Sequence, residues 1–113
     1  MNQKPIINNR AIFSIDTSSN QEIRVALMID GQKDEIKESI GKQKSQVVLV
    51  MIQELLKKHE LEFSAVTGVE VVLGPGSFTG LRVGVAIANT LGTILQIPIN
   101  GLPLGQLVEP QYT

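Results

Sequence analysis

The sequence predicts an α/β fold: a mixed sheet flanked by helices, in the order β-β-β-α-β-α-β. Three observations lead there. Short strand-like runs precede Gly41, with the hairpin signal Asp30-Gly31 between the second and third. Apolar residues at helical spacing run from Gln46 to Lys58. Beyond Glu60, a β-branched run, a glycine-rich turn, an apolar helix and Ile97-Pro98-Ile99 follow one another.

Each element has its own signal. Ala11 to Ile15 is a β-favouring apolar run that ends in the turn cluster Asp16 to Asn20. From Glu22 to Ile29 the chain alternates, with Ile23, Val25 and Leu27 on one side. Lys33 to Ile40 reads as a polar third strand near an edge, paired antiparallel to the second. Its carboxylates Asp34, Glu35 and Glu38 interleave with Lys33 and Lys37, which protects an edge. Ser45 is placed to cap the first helix. In that helix Val47, Val48, Leu49, Met51, Ile52, Leu55 and Leu56 span an arc of about 200°, and one sheet contact needs only about 100°. The surplus predicts a second contact. Val69 to Leu73 reads as a buried strand, and a helix runs from the glycine-rich turn to about Gln96. Pro98 punctuates the start of a last strand.

Composition narrows the function. The chain has 113 residues, 42% hydrophobic, with a formal net charge of −1. That length predicts one domain over 1–113, with 1–10 a flexible N-terminus. The absence of cysteine excludes disulfides, thiolate zinc sites and a cysteine nucleophile. A lone histidine, His59, excludes multi-histidine metal sites. Near-neutral charge argues against direct nucleic-acid binding. The polar start lacks a signal-peptide core, and apolar runs never reach the roughly 20 residues of a membrane span. A cytoplasmic protein without a membrane partner is expected.

The segment Gly74-Pro75-Gly76-Ser77-Phe78-Thr79-Gly80-Leu81-Arg82-Val83-Gly84 joins strand to helix. Ser77 or Thr79 can cap the helix. Free N–H groups at its start, with Arg82 one turn in, could hold an anion; the same residues also make a tight turn that needs no ligand. No lysine follows the last glycine, so the loop is not a Walker A motif. In the helix, Gly80, Gly84, Ala88 and Gly92 recur every four residues. Each interior glycine costs about 1 kcal/mol against alanine, which suggests close approach of a partner helix or of the sheet. Asp16 suits an Asx turn, His59 a solvated helix end, and Ser77 lacks a base and departs from the G-x-S-x-G elbow.

The glycine-rich string resembles the signature of the TsaB (YeaZ) family. Ile15-Asp16-Thr17-Ser18, Lys44-Ser45-Gln46 with Met51 to Leu56, and Ile97 to Gly101 resemble other stretches of it. The resemblance covers about residues 11 to 107, the first lobe of members that usually continue into a second lobe. It implies an RNase H-like lobe of the actin-like ATPase (ASKHA) fold. It also implies a non-catalytic subunit, without cofactor or metal, in the synthesis of threonylcarbamoyladenosine in tRNA. Such a subunit would pair with a TsaD-like protein, join a TsaE-like ATPase, and meet tRNA only through the complex.

The family's pairing surface is its two helices, here expected at Val47, Val48, Met51, Ile52 and Leu55 and at Gly80, Gly84, Ala88 and Gly92. Alone, the chain is expected to form a homodimer. Lys44 stands where a histidine is common, and Leu102, Pro103 and Leu104 replace the usual serines. Two rival expectations are a small ATPase or phosphotransferase half using Asp16 and the Gly74–Gly80 loop, and, more remotely, a peptidase.

Overall fold

The structure is a computed structural model that describes residues 11–39 and 44–112; the expected flexible segment 1–10 lies outside them. Strands β1 (Ala11–Asp16), β2 (Glu22–Ile29) and β3 (Gln32–Ser39) form an antiparallel meander. Asp30 and Gly31 take φ of 51° and 84°, the two positive values that a tight two-residue hairpin turn requires. Helix α1 (Lys44–Lys58) returns the chain to β4 (Val66–Val71), which pairs parallel to β1. Helix α2 (Phe78–Leu95) follows, and the sheet order is β3-β2-β1-β4.

The core lies between the sheet and both helices. Phe13, Ile15, Val25 and Leu27 are fully buried and form one cluster with Val48, Ile52 and Leu55 of α1 and Val85 and Ala88 of α2. Removing such side chains from water is the main driving term, about 1.5–3 kcal/mol each. Charged β3 is the edge strand, as its composition predicts.

Three expectations change, and one of the two caps expected for α2 is found. Helix α1 begins at Lys44, so Ser45 is inside the helix and is not its cap. Strand β4 begins at Val66, three residues before the expected Val69, because its register is set by β1. A bulge at Thr67 lets Ala11 face Val66 and Ile12 face Gly68. It shifts the in-out alternation so that Val66, Val69 and Val71 are all buried. Helix α2 starts at Phe78, and the cap is Ser77, whose Oγ accepts from the Gly80 N–H at 3.2 Å.

The fifth strand shrinks to one parallel bridge, Val69 with Ile99. Pro98 has no N–H to donate, and Asn100 turns away at φ 53°. Its side chain replaces the missing strand residue. The Val71 N–H donates to Asn100 Oδ1 at 2.8 Å, and Asn100 Nδ2 donates to the Val71 carbonyl at 3.2 Å.

Candidate functional site

The surplus apolar surface of α1 is consumed mostly inside the lobe. Val48, Met51, Ile52 and Leu55 are no more than 1% exposed, so these four are core residues and not a partner surface. The wide arc serves two internal contacts, the sheet and α2. Val47 is half-buried.

The small-residue ridge also points inward. Gly80, Gly84, Ala88 and Gly92 are all buried. A Cβ at Gly84 would meet the Thr17 hydroxyl and approach Val71 Cγ2 at 3.4 Å; one at Gly92 would lie 2.6 Å from Ile99 Cδ1. The ridge therefore lets α2 lie close on the sheet and the β1–β2 loop, which corrects its assignment to a partner interface.

The signature loop is a packed corner. The Ser77 N–H donates to the Ser18 carbonyl at 2.7 Å, and the Leu81 N–H to the Ser77 carbonyl at 2.8 Å. Thr17 Oγ1 donates to the Gly80 carbonyl at 2.6 Å in the buried interior. A Cβ at Gly76 would lie 2.6 Å from the Ser18 carbonyl oxygen, and one at Gly74 would overlap the Gln111 carbonyl. Both glycines have positive φ, 154° and 159°. They allow two other segments to cross against the loop. Asp16 Oδ1 accepts from the Ser18 N–H at 2.9 Å and from Ser18 Oγ at 2.6 Å, the Asx turn expected of it. Pro75, Phe78 and Thr79 remain exposed. Phe78 stacks on Tyr112 with ring centroids 4.5 Å apart, and the Arg82 guanidinium lies 5.7 Å from the Phe78 centroid.

What stays open is the outer side of the helix pair. A groove of about 600 Å³ runs between α1 and α2. Ser45 and Leu49 form its α1 wall, and Thr79, Arg82, Val83, Ala86, Ile87, Thr90 and Leu91 its α2 side. Leu49 is 44% exposed, and Ile94, farther along α2, is 70% exposed. This exposed, mainly apolar strip between the two helices is the candidate contact surface. By length and composition α2 would suffice to cross a membrane, yet one side is packed on the sheet and the other lines this groove. Sequence reading missed Val83, Ala86, Thr90 and Ile94 as a set. Their spacing of three, four and four residues is the signal that could have found them.

A second cluster joins α1 to the hairpin. Lys58 Nζ and His59 Nε2 lie 2.9 and 2.7 Å from the same Asp34 oxygen. The hydrogen bond from Lys58, then that from His59, holds the Asp34 carboxyl below its ordinary pKa. His59 is thus a tether between elements, where a solvated helix end was expected. Among the described residues no three histidine or acidic side chains cluster as a metal site.

Known proteins are similar to this chain in sequence, and a solved structure is similar in fold. The family model described as TsaD, tRNA N6-adenosine threonylcarbamoyltransferase, matches residues 28–104. The tRNA threonylcarbamoyladenosine biosynthesis protein TsaB of Haemophilus influenzae is 34% identical over 101 residues, covering 89% of this chain and 42% of that protein. The tRNA N6-adenosine threonylcarbamoyltransferase of Geotalea daltonii is 37% identical over 57 residues, covering 50% of this chain and 17% of that protein. The solved structure of YeaZ from Pseudomonas aeruginosa matches with a TM-score of 0.73 at 31% identity, over 80% of this chain and 42% of that one. The chain therefore spans well under half the length of these relatives. The YeaZ likeness gives the lobe the RNase H-like, actin-like ATPase fold expected from the signature. With a family model matched over residues 28–104, identity to TsaB over most of this chain and a fold shared with YeaZ, the chain belongs to the TsaB (YeaZ) family.

Proposed function

We propose that this chain acts in tRNA threonylcarbamoyladenosine synthesis as a non-catalytic partner subunit, docking a TsaD-like protein on the α1–α2 groove. The observation that carries the reading is that groove: an open, mainly apolar surface between two helices whose inner sides are already packed. Several of the groups that would serve an ATPase are engaged within the fold. Asp16 accepts from Ser18, and the N–H groups of Ser77, Gly80 and Leu81 bond within the fold. Transfer chemistry and tRNA contact then belong to the partner, with a TsaE-like ATPase joining the assembly in the cytoplasm. A second copy of the chain is a weaker occupant of the same groove when the partner is absent.

The test is capture of the TsaD-like subunit from the same cell on the immobilised chain. Ala86→Trp places a large ring in the groove at an exposed position. Capture by the original chain and its loss in this variant, with an unchanged melting transition, support the reading. Equal capture by both would overturn it.

A further inference from the structure

Among the described residues, Arg82 is the only charged one lining the groove. Its guanidinium lies over Phe78, which is stacked on Tyr112, a contact that favours this orientation of the cation at an exposed position. Among the described residues, no carboxylate lies within ion-pair distance of it. The surrounding walls supply none. Helix α2 has no acidic residue, and the one acid of α1, Glu54, lines a cleft on the other side of that helix together with Glu38. Residues 40–43, just before α1, contain no acid in their sequence.

We infer that Arg82 selects the occupant of the groove: it fits an apolar helical surface carrying a carboxylate and disfavours a second copy of this chain. The inference rests on the pairing reading above. Covering a cation without a counter-charge is costly, whereas a carboxylate opposite it makes a charge-assisted, geometrically specific contact. A two-fold pair presents the same patch twice. The patch laid over each Arg82 would then be this same groove, whose described lining residues include no carboxylate. The TsaD-like subunit is therefore expected to place an aspartate or glutamate against Arg82. Discrimination by an unpaired charge in the wrong complex is a general device of specific interfaces.

The experiment measures two constants for the same proteins: affinity for the TsaD-like subunit by calorimetry, and self-association by sedimentation. Arg82→Leu should weaken the mixed pair by about tenfold or more and tighten the self-pair. Arg82→Gln keeps a polar stem without the charge and should move both constants in the same directions. It decides the matter if the leucine variant melts early. Arg82→Glu should abolish the mixed pair, and replacing the facing carboxylate of the partner by arginine should restore it. Unchanged constants in Arg82→Leu and Arg82→Gln overturn the inference. If Ala86→Trp still abolishes pairing in that case, the groove stands and only the role of Arg82 falls. If Ala86→Trp also leaves pairing intact, the docking reading and the inference fall together.

Discussion

A Cβ at position 84 has no room, because the Thr17 hydroxyl already occupies the place where it would sit. That hydroxyl donates to the Gly80 carbonyl from a fully buried position. Gly84→Ala should therefore force α2 outward or break that bond, costing about 1–3 kcal/mol. Thermal melting should show a fall of about 4–8 °C per kcal/mol for a domain this small; an unchanged transition would mean the ridge does not touch the β1–β2 loop. The four-residue repeat of small side chains was legible in the sequence. Which surface it meets was not, because Thr17 and Gly84 are brought together only by the fold.

Asp34 makes a pH prediction at the same scale. Its folded pKa is depressed, by Lys58 first and His59 second. A carboxyl of this kind stabilises the fold above its unfolded value, about 3.9, and loses that contribution as pH falls through the lower folded value. Asp34→Asn should thus be less stable than the original chain near neutrality, by a small margin because the pair is solvated. The two should converge in acid, once the pH lies below that lowered folded value. Urea unfolding at both pH values measures it, and a gap that persists in acid would remove the carboxylate from the account.

At the scale of elements, local patterns placed the meander, the hairpin turn and both helices. They failed where pairing overrides pattern. Strand β4 starts at Val66 because β1 dictates its register, and the bulge at Thr67 hides the alternation that would have revealed it. The expected strand at Ile97–Ile99 has strand-like composition, yet Pro98 and the turn at Asn100 leave it one bridge. The Asn100 amide closes the gap by pairing with both backbone groups of Val71. Asn100→Ala should lose both bonds and cost about 1–2 kcal/mol, with faster amide exchange at Val71. Unchanged exchange there would show that water replaces the side chain without loss. In α1 the breadth of the apolar arc was legible, but Val48, Met51, Ile52 and Leu55, four of the five residues assigned there to a partner, are buried in the core.

At the scale of the whole molecule, the signature loop that identifies the family is a corner holding three segments together, and the surface left for a partner lies one helix face away from it. Residues 74–80 set where α2 begins and how closely it approaches the sheet. That placement turns Leu49, Val83, Ala86 and Thr90 outward beside one another. The family was legible from the loop because its glycines answer to strict steric demands. The groove was not, because the apolar residues of an outer helix face look like core residues until the core is filled.

The most direct test of docking on the α1–α2 groove is the hydrogen-exchange footprint of the TsaD-like subunit on this chain. Docking there should slow exchange along α1 near Leu49 and along α2 from Arg82 to Thr90, with the β3 edge unchanged. Protection confined to β3, or to the Gly74–Gly80 loop, would contradict it.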